Sequence, residues 1–400
     1  MVNNHTSRRI ASVMQAQLPF IDFFNNPVFM QRNEDPLACD FALGNPQEIS
    51  LSGYVAALQA NVIPQNKDWY AYKMSEPEAV APLARNLYQW RGVKYSPEDI
   101  FLTNGAFAGL AVVLGAILDP GDEVIFNSPP WFFYESLIIA NGGVAVRVRV
   151  EPQSFDLDLN AIQAAITPRT RAIIVNSPNN PTGKIYPAET LRQLAGLLEA
   201  AQRRNGRPIY LVSDESYSRI VYDNRPYPSP TRYYPNSFLV YTYGKTLLTP
   251  GQRIGYIVLP PEMPDKESIR PSIFISQLMT GYAFPNALLQ HALPELDKLS
   301  IDIQHLQNKR DFLVGALHEM GYTLHSPEGT FYLLPRSPIE DDVTFVNLLN
   351  EQKIYCLPGK VVEMPGYFRI SITANDEMIQ RSLPGFALAL EKAQVVEERI

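Results

Sequence analysis

The segment Tyr241–Arg253 reads Y-T-Y-G-K-T-L-L-T-P-G-Q-R and contains one lysine, Lys245. Thr242 lies three residues before this lysine, and Arg253 lies eight residues after it. A lysine in such a setting can bind an aldehyde cofactor as a Schiff base. The guanidinium and the hydroxyl can bind a phosphate of the same molecule. Because most lysines of globular proteins are solvated surface charges, the segment needs support from the elements around it.

A phosphate-binding P-loop is the obvious alternative for the tripeptide G-K-T. That motif, G-x-x-x-x-G-K-[ST], requires a glycine at position 239, where this chain has Leu239. The sequence therefore excludes a P-loop at this lysine.

Short β-rich runs alternate with helical patterns through the middle of the chain. The runs cover residues 122–126, 144–150, 171–176, 208–215, 237–243 and 254–260. Between two of them, Leu191, Leu194 and Leu198 recur at helical spacing, and Asn205-Gly206 ends the pattern. This alternation predicts an α/β fold with a mostly parallel sheet between helices.

Ligands of such sheets bind beyond the carboxyl ends of the strands. The residues just past those ends are Trp131, Asn180, Asp214 and Lys245. A further helix is predicted to begin at about Asn104-Gly105-Ala106, and its free N–H groups would form an anion site.

Three regions are predicted. Residues 1–53 form an N-terminal arm and part of a small domain, 54–297 form the large domain, and 298–400 form the rest of a smaller α+β domain. The expected elements of the small domain are a short strand running into a turn at Phe41–Pro46, a long helix ending at Gly321, strands around 322–325 and 330–334, a helix at 343–352, a strand at 367–373 and a last helix.

Composition excludes several classes of function. The formal charge is −7 and the pI is about 5.4, so neither nucleic acid nor an anionic membrane is an expected partner. Two cysteines, Cys39 and Cys356, are too few for a disulfide framework and indicate a reducing compartment. No run of eighteen apolar residues and no apolar N-terminal segment occurs, so a cytoplasmic protein without a membrane span is expected. No metal site is predicted.

Four sequence features together indicate the chemistry of the protein far more specifically than any one of them does alone. They are N-S-P-N-N-P-T-G at Asn176–Gly183, D-E-S-Y with Asp214 and Tyr217, the Lys245 segment, and Arg369 within the apolar run F-R-I-S-I-T. A carboxylate at a strand end can pair with a protonated pyridine nitrogen. An arginine in an apolar strand needs an anionic partner if it is buried.

In this order the features resemble the class I/II aminotransferase family, the fold-type-I enzymes that use pyridoxal 5′-phosphate. The resemblance extends from about residue 40 to the end and implies transfer of the amino group of an L-α-amino acid to a 2-oxo acid. It implies catalytic roles for Lys245, Asp214 and Tyr217, and a homodimer. The implied cofactor-binding residues are Asn104, Gly105, Ala106, Trp131, Asn180, Asp214, Tyr217, Thr242, Lys245 and Arg253, with Tyr70 reaching the other subunit's phosphate; Gly44, Asn180 and Arg369 would bind the substrate.

The chain departs from the family pattern at a few positions. Ser75 replaces a common glycine after the Tyr70 loop, and Tyr243-Gly244 replace smaller or serine residues before the lysine. Ala106 stands where some relatives with acidic substrates have a lysine. With aromatic candidates at Tyr72, Trp131, Phe132 and Phe133, this predicts a substrate side chain that is not a short carboxylate, unless a partner subunit supplies a cation such as Arg270.

Several alternatives remain at this level. Phe132 or Phe133, instead of Trp131, can stack on the cofactor ring. The same covalent linkage also serves amino-acid lyases, cyclases and oxidases of this fold type. A DNA-binding regulator built on this fold would need a basic domain before the large one, and the fifty or so preceding residues contain no basic cluster.

Overall fold

The computed structural model describes residues 5–397 as fifteen α-helices and twelve strands. The helices are α1 Arg8–Ala16, α2 Leu18–Phe24, α3 Pro27–Gln31, α4 Ser52–Asn61, α5 Pro77–Arg91, α6 Gly105–Ile117, α7 Tyr134–Ala140, α8 Leu159–Ala165, α9 Ala188–Asn205, α10 Tyr243–Thr246, α11 Lys266–Met279, α12 Ala287–Leu296, α13 Ile303–Met320, α14 Asp342–Glu351 and α15 Asp376–Glu397. The strands are β1 Cys39–Asp40, β2 Ile100–Thr103, β3 Glu123–Ser128, β4 Val144–Arg149, β5 Thr170–Asn176, β6 Tyr210–Asp214, β7 Ser237–Thr242, β8 Gly255–Val258, β9 Tyr332–Leu333, β10 Ile354–Tyr355, β11 Leu357–Pro358 and β12 Phe368–Ser371.

Seven strands form the central sheet in the order β2-β8-β7-β6-β5-β3-β4. Only β8 runs antiparallel to its neighbours β2 and β7. The predicted α/β fold with a mostly parallel sheet is therefore confirmed. The predicted strands 208–215 and 254–260 are shorter in the structure, since Pro208 and Pro260 at their ends have no N–H for the ladder.

Both faces of the sheet are covered, which explains the near-continuous apolar strands. Successive residues of β3 point to opposite faces: Val124 and Phe126 pack with α6, α7 and α11, whereas Ile125 packs with α8 and α9. Beyond α9, the helices α4, α5 and α12 cover the side chains of β2, β7 and β8. The carboxyl ends of β5, β6 and β7 stay accessible.

The chain's two ends meet in a smaller unit. Strand β1 pairs in parallel with β10, joining Cys39 to Ile354, and β11, β12 and β9 form a three-stranded antiparallel sheet. This unit packs with α13, α14 and α15. The domain limits at residues 53 and 297 remain predictions.

Three local predictions in this unit were wrong. The strand predicted at Phe41–Pro46 lies at Cys39–Asp40, because the Asp40 carboxylate then accepts the Ala42 N–H and turns the chain. Residues 322–325 form no strand, since the Tyr322 N–H bonds back to Leu317 at the end of α13. The N-terminal arm, for which the sequence predicted no helix, contains α1, α2 and α3; its residues 1–4 lie outside the described part.

No helix within residues 5–397 is both long enough and apolar enough to cross a bilayer.

Candidate active site

A cavity of about 260 Å³ opens at the carboxyl ends of β5, β6 and β7. It brings together most of the predicted site residues, which are separated by up to several hundred positions in the sequence. The walls are formed by Leu43, Gly44, Asn45, Ala106, Phe107, Leu110, Trp131, Phe132, Asn176, Asn180, Asp214, Ser216, Tyr217, Thr242, Gly244, Lys245, Pro250, Arg253, Tyr332 and Arg369.

Lys245 lies in the short helix α10, immediately after β7. Thr242 is the N-cap of this helix, and its hydroxyl accepts the Gly244 N–H at 3.4 Å. The Lys245 Nζ lies 5.5 Å from the ring centroids of both Tyr217 and Phe331. Within the described residues no carboxylate lies within 4 Å of this nitrogen. The amine therefore projects into the cavity without an ion pair to restrain it.

Asp214 ends β6 and is buried, with 4% of its surface exposed. Its carboxylate accepts the Tyr134 hydroxyl at 2.6 Å and the Ser216 hydroxyl at 2.6 Å. Burial raises the pKa of Asp214, and these hydrogen bonds, followed by the charge of Lys245, partly offset the increase. A cation bound beside Asp214, such as a protonated pyridine, would favour its ionised form.

The N-terminus of α6 lies against the Lys245 segment. Asn104 makes no side-chain cap, so the first N–H groups of α6 are left for a ligand. Gly105 has φ +80°, and a Cβ there would lie 2.9 Å from Nη2 of Arg253 and 3.4 Å from Oγ1 of Thr242. Only glycine fits this place, where amide groups, a hydroxyl and a guanidinium converge. Such a cradle fits a phosphate group.

Arg369 lies in β12 and is 1% exposed. Its Nη1 donates to Asn180 Oδ1 at 3.0 Å and its Nη2 donates to Ala42 O at 2.9 Å, while Nε has no partner. The guanidinium also lies 4.0 Å from the ring centroid of Tyr332. Burial lowers the pKa of Arg369, and no carboxylate among the described residues pairs with it. A buried cation without an anion is a binding site for an anionic ligand.

Gly44 lies on the same side of the cavity as Arg369. A Cβ on Gly44 would lie 2.6 Å from both Phe331 Cε2 and Tyr332 Oη, so no side chain fits. Asn180 is held by its own N–H, which donates to Asn176 Oδ1 at 2.8 Å. The three predicted substrate-binding residues thus converge around one small space.

Trp131 and Phe132 both line the cavity, whereas Phe133 does not. Trp131 packs edge-on against Phe107 at 5.1 Å and against Tyr134 at 5.4 Å. Phe132 is stacked by Phe20 of α2 at 4.9 Å. The stacking role predicted for Trp131 remains a prediction, with Phe132 as the alternative within the cavity wall.

Tyr70 is not brought to the cavity of its own chain. Its ring is 52% exposed, and its hydroxyl donates to the Val62 carbonyl. Tyr72 is also exposed, at 87%. A tyrosine that serves a second subunit would be placed in this way, so the predicted role of Tyr70 stays open.

Sequence reasoning missed three residues of the site. Ser216 stands within the D-E-S-Y motif and Tyr134 follows the W-F-F run, so proximity to the motifs was the available signal. Tyr332 carried no motif. Its hydroxyl lies 3.5 Å from that of Tyr217. Burial raises the pKa of Tyr332, but the charges of Lys245 and Arg369 outweigh it and lower the pKa below its usual value.

We expect Tyr134→Phe to reduce kcat/KM by roughly 10- to 100-fold. The variant loses one hydrogen bond to a buried carboxylate, worth about 1.5–3 kcal/mol, and this bond favours the ionised form of Asp214. The acid limb of the kcat/KM profile should therefore move to higher pH. Tyr186→Phe is the matched control, because Tyr186 is also fully buried but its hydroxyl has no partner. An unchanged acid limb in Tyr134→Phe would contradict this role.

The comparisons with known proteins agree with this geometry. Residues 66–384 match the family "Aminotransferase class I and II". The aspartate/prephenate aminotransferase of Thermus thermophilus is 34% identical over 350 residues, covering 85% of this chain and 88% of the relative. The aspartate aminotransferase of Thermotoga maritima is 31% identical over 323 residues, covering 78% of this chain and 81% of the relative.

Solved structures extend the likeness to the whole fold. An amino transferase from Eubacterium rectale superposes with a TM-score of 0.85 at 28% identity, covering 98% of this chain and 99% of the other. The Thermotoga maritima aspartate aminotransferase gives 0.82 at 27% identity, covering 96% and 100%. The resemblance inferred from the four sequence features is thereby confirmed: the chain belongs to the class I and II aminotransferase family and has the fold-type-I architecture of its pyridoxal-phosphate enzymes.

Proposed function

We propose that this aminotransferase uses pyridoxal 5′-phosphate at Lys245 to move the amino group of an L-α-amino acid to a 2-oxo acid. The observation that carries the proposal is Arg369, a buried guanidinium without an anion in the same cavity as an unpaired lysine. A substrate α-carboxylate would neutralise the charge of Arg369 by forming a bidentate ion pair. This pair would direct the Cα of the amino acid towards Lys245.

The cofactor, when bound, supplies the electron sink for negative charge at the substrate Cα. The protein residues supply the rest. Asp214 would hold the pyridine nitrogen protonated, and Asn180 and Tyr217 would bind the oxygen substituent of the ring. The N-terminus of α6, with Thr242 and Arg253, binds the phosphate. The Lys245 Nζ, which has no ion pair within the described residues, would act as the base that holds and moves the proton of the substrate Cα.

A coupled assay tests the reaction class. Purified protein, loaded with pyridoxal 5′-phosphate, is given one amino donor and one 2-oxo acid, and all products are quantified. We expect the new amino acid and the new 2-oxo acid in equal amounts. Release of ammonia or carbon dioxide in place of the new amino acid would indicate a lyase or an oxidase, as the sequence alone allowed.

We infer a homodimer with shared sites from the position of Tyr70. The tyrosine projects from an exposed loop between α4 and α5, together with the exposed Ile63 and Tyr72.

The two buried cysteines, Cys39 and Cys356, are unpaired, which fits the cytoplasmic location predicted from the sequence.

Mixing Tyr70→Phe and Lys245→Ala chains should restore activity. In a heterodimer with shared sites, one site carries both defects and the other carries neither. In a refolded or co-expressed mixture, about half of the dimers are heterodimers, and each heterodimer has one intact site out of two. The mixture should therefore recover up to about a quarter of wild-type activity. The measurement is kcat with heterodimer formation verified by two affinity tags. No recovery despite verified exchange would mean that each chain supplies its own Tyr70.

We also propose that the substrate side chain is not a short carboxylate, although relatives are named as aspartate aminotransferases. The only cations in the described cavity wall are Lys245, Arg253 and Arg369, and Ala106 offers none. Arg270 is bound to Asp99, Glu98 and Glu267 at 2.7–2.9 Å. It would have to leave three carboxylates to serve another subunit. An unpaired second carboxylate would cost several kcal/mol.

Phenylalanine and leucine should therefore be better donors than aspartate and glutamate. We expect kcat/KM for phenylalanine or leucine to exceed that for aspartate by at least about tenfold, or 1.4 kcal/mol. Free arginine is tested as a further amino donor with a long, charged side chain, and one common 2-oxo acid is used throughout. A matched variant, Ala106→Lys, should raise kcat/KM for aspartate. A clear preference of the wild type for aspartate would contradict the proposal and indicate a cation from another chain.

A further inference from the structure

A second cavity, of about 500 Å³, lies apart from the active site. It shares no lining residue with the first cavity. Its walls come from the end of α5, from the chain after β6, and from the segment that joins α12 to α13.

Positive charge dominates this cavity. Arg91, Arg219, Arg225, Arg232 and Lys298 line it, and Asp297 is the one carboxylate in the wall. Asp297 is already engaged, because it accepts from Arg219 at 2.6 Å, from Tyr243 at 2.7 Å and from Asn86 at 2.7 Å. Low-dielectric walls with charges of one sign concentrate counter-ions.

Arg91 is the most buried of these cations, with 4% of its side chain exposed. Its Nη2 meets Glu215 Oε2 at 2.7 Å, but Nε and Nη1 have no partner. Arg219 repeats the pattern, since its Nη2 pairs with Asp297 while its Nε has no partner. Both guanidinium groups also lie over the Trp90 ring, at 4.2 Å for Arg91 and 4.9 Å for Arg219, so these nitrogens are enclosed in the wall and their positive charge acts on the cavity from behind it.

Two further cations at the cavity are exposed. The side chains of Arg232 and Lys298 make no ion pair or hydrogen bond within residues 5–397. Arg225 is only loosely held, at 3.4 Å from Glu328 and 3.5 Å from Asp223. Arg232 and Lys298 can therefore turn to a ligand freely, whereas Arg225 would first have to leave Glu328 and Asp223.

We propose that this cavity binds a small dianion, either a phosphate monoester or a dicarboxylate, between Arg232, Lys298 and the buried arginines. Its volume lies within the range of small-molecule sites, about 300–1,000 Å³. Trp90, Tyr95 and Tyr227 provide aromatic wall for the uncharged part of such a molecule. A dianion would also balance the charges of Arg232 and Lys298, the two cations of this cavity that have no ion pair within residues 5–397.

The holoenzyme tests this site, with inorganic phosphate and succinate titrated separately at constant ionic strength. Binding is followed by calorimetry and by the fluorescence of Trp90, with Trp90→Phe to identify that signal. We expect one saturable change in the Trp90 fluorescence per chain for at least one anion, separate from any heat of succinate binding at Arg369, and Arg232→Ala/Lys298→Ala should raise the Kd of this fluorescence change at least tenfold. Both side chains are exposed and unpaired, so the variant is expected to fold.

Two controls separate this site from the alternatives. Arg203→Ala/Arg204→Ala removes the same charge from the exposed end of α9 and should leave Kd within twofold. Arg369→Ala should also leave Kd within twofold, because the substrate pocket is separate. Response to phosphate alone identifies the phosphate class, and response to succinate alone identifies the dicarboxylate class. Absence of saturable binding for both anions, equal weakening by the α9 pair, or loss through Arg369→Ala would overturn the proposal.

Discussion

Lys245→Ala should lower turnover by at least about 10⁴-fold while the protein remains folded. The substitution removes the amine that holds the cofactor and the base that moves the substrate proton, and general base catalysis alone contributes up to about 10⁴-fold. Lys245 has no ion pair among the described residues, so its loss should leave the thermal unfolding transition nearly unchanged. The measurements are kcat, the unfolding temperature and the amount of cofactor retained after denaturation.

The same variant separates covalent from non-covalent binding. Arg253, Thr242 and Asp214 remain in Lys245→Ala, so the cofactor should still bind reversibly. Borohydride treatment of the wild type should attach it to the peptide that contains Lys245 and to no other. Lys392→Ala removes a partly exposed lysine that is paired with Glu351, and this control should retain full activity. Labelling of another lysine, or activity of Lys245→Ala near that of the control, would contradict the assignment.

Asp214→Ala has the second largest expected effect, a loss of kcat of about 10³-fold or more. Without the carboxylate the pyridine nitrogen loses its proton, and the ring becomes a poor acceptor for negative charge from the substrate Cα. Cofactor affinity should fall less, because the phosphate cradle at Gly105 and Arg253 is untouched. The measurements are kcat and the cofactor Kd.

Folding must be checked in this variant. Removing Asp214 leaves the buried Tyr134 hydroxyl without an acceptor, at a cost of about 1–3 kcal/mol of unfolding free energy. Asp214→Asn keeps an acceptor for Tyr134 but lacks the charge, so it should be stable and still nearly inactive. Activity of Asp214→Asn within tenfold of wild type, about 1.4 kcal/mol of barrier, would mean that Asp214 does not pair with the cofactor.

The central sheet was predictable because its strands are buried on both faces. The runs at 171–176 and 237–243 are mainly apolar segments that alternate with helical patterns. Few folds other than a covered parallel sheet produce that pattern. The positions of Asp214 and Lys245 followed from it, since both stand where a parallel strand ends. Periodicity therefore placed Asp214 and Lys245 at the edge of the sheet, whereas the roles of Gly44 and Tyr70 came only from the family resemblance.

Contacts between distant segments were not predictable in this way. Tyr134 reaches Asp214 across 80 residues, and Tyr332 reaches Tyr217 across 115, and neither pair has a periodic signal. The strands of the small unit are only two to four residues long. In such short segments, side-chain bonds such as that from Asp40 to the Ala42 N–H outweigh β-propensity.

A single-turnover half-reaction is the most direct test of transamination at Lys245. Holoenzyme is mixed with an amino donor alone, and the absorbance of the bound cofactor and the released 2-oxo acid are measured together. We expect conversion to the absorbance of pyridoxamine phosphate, one 2-oxo acid released per active site, and full reversal when a 2-oxo acid is added. Catalytic product formation without that reversible conversion, or release of ammonia from the donor, would contradict transamination at Lys245.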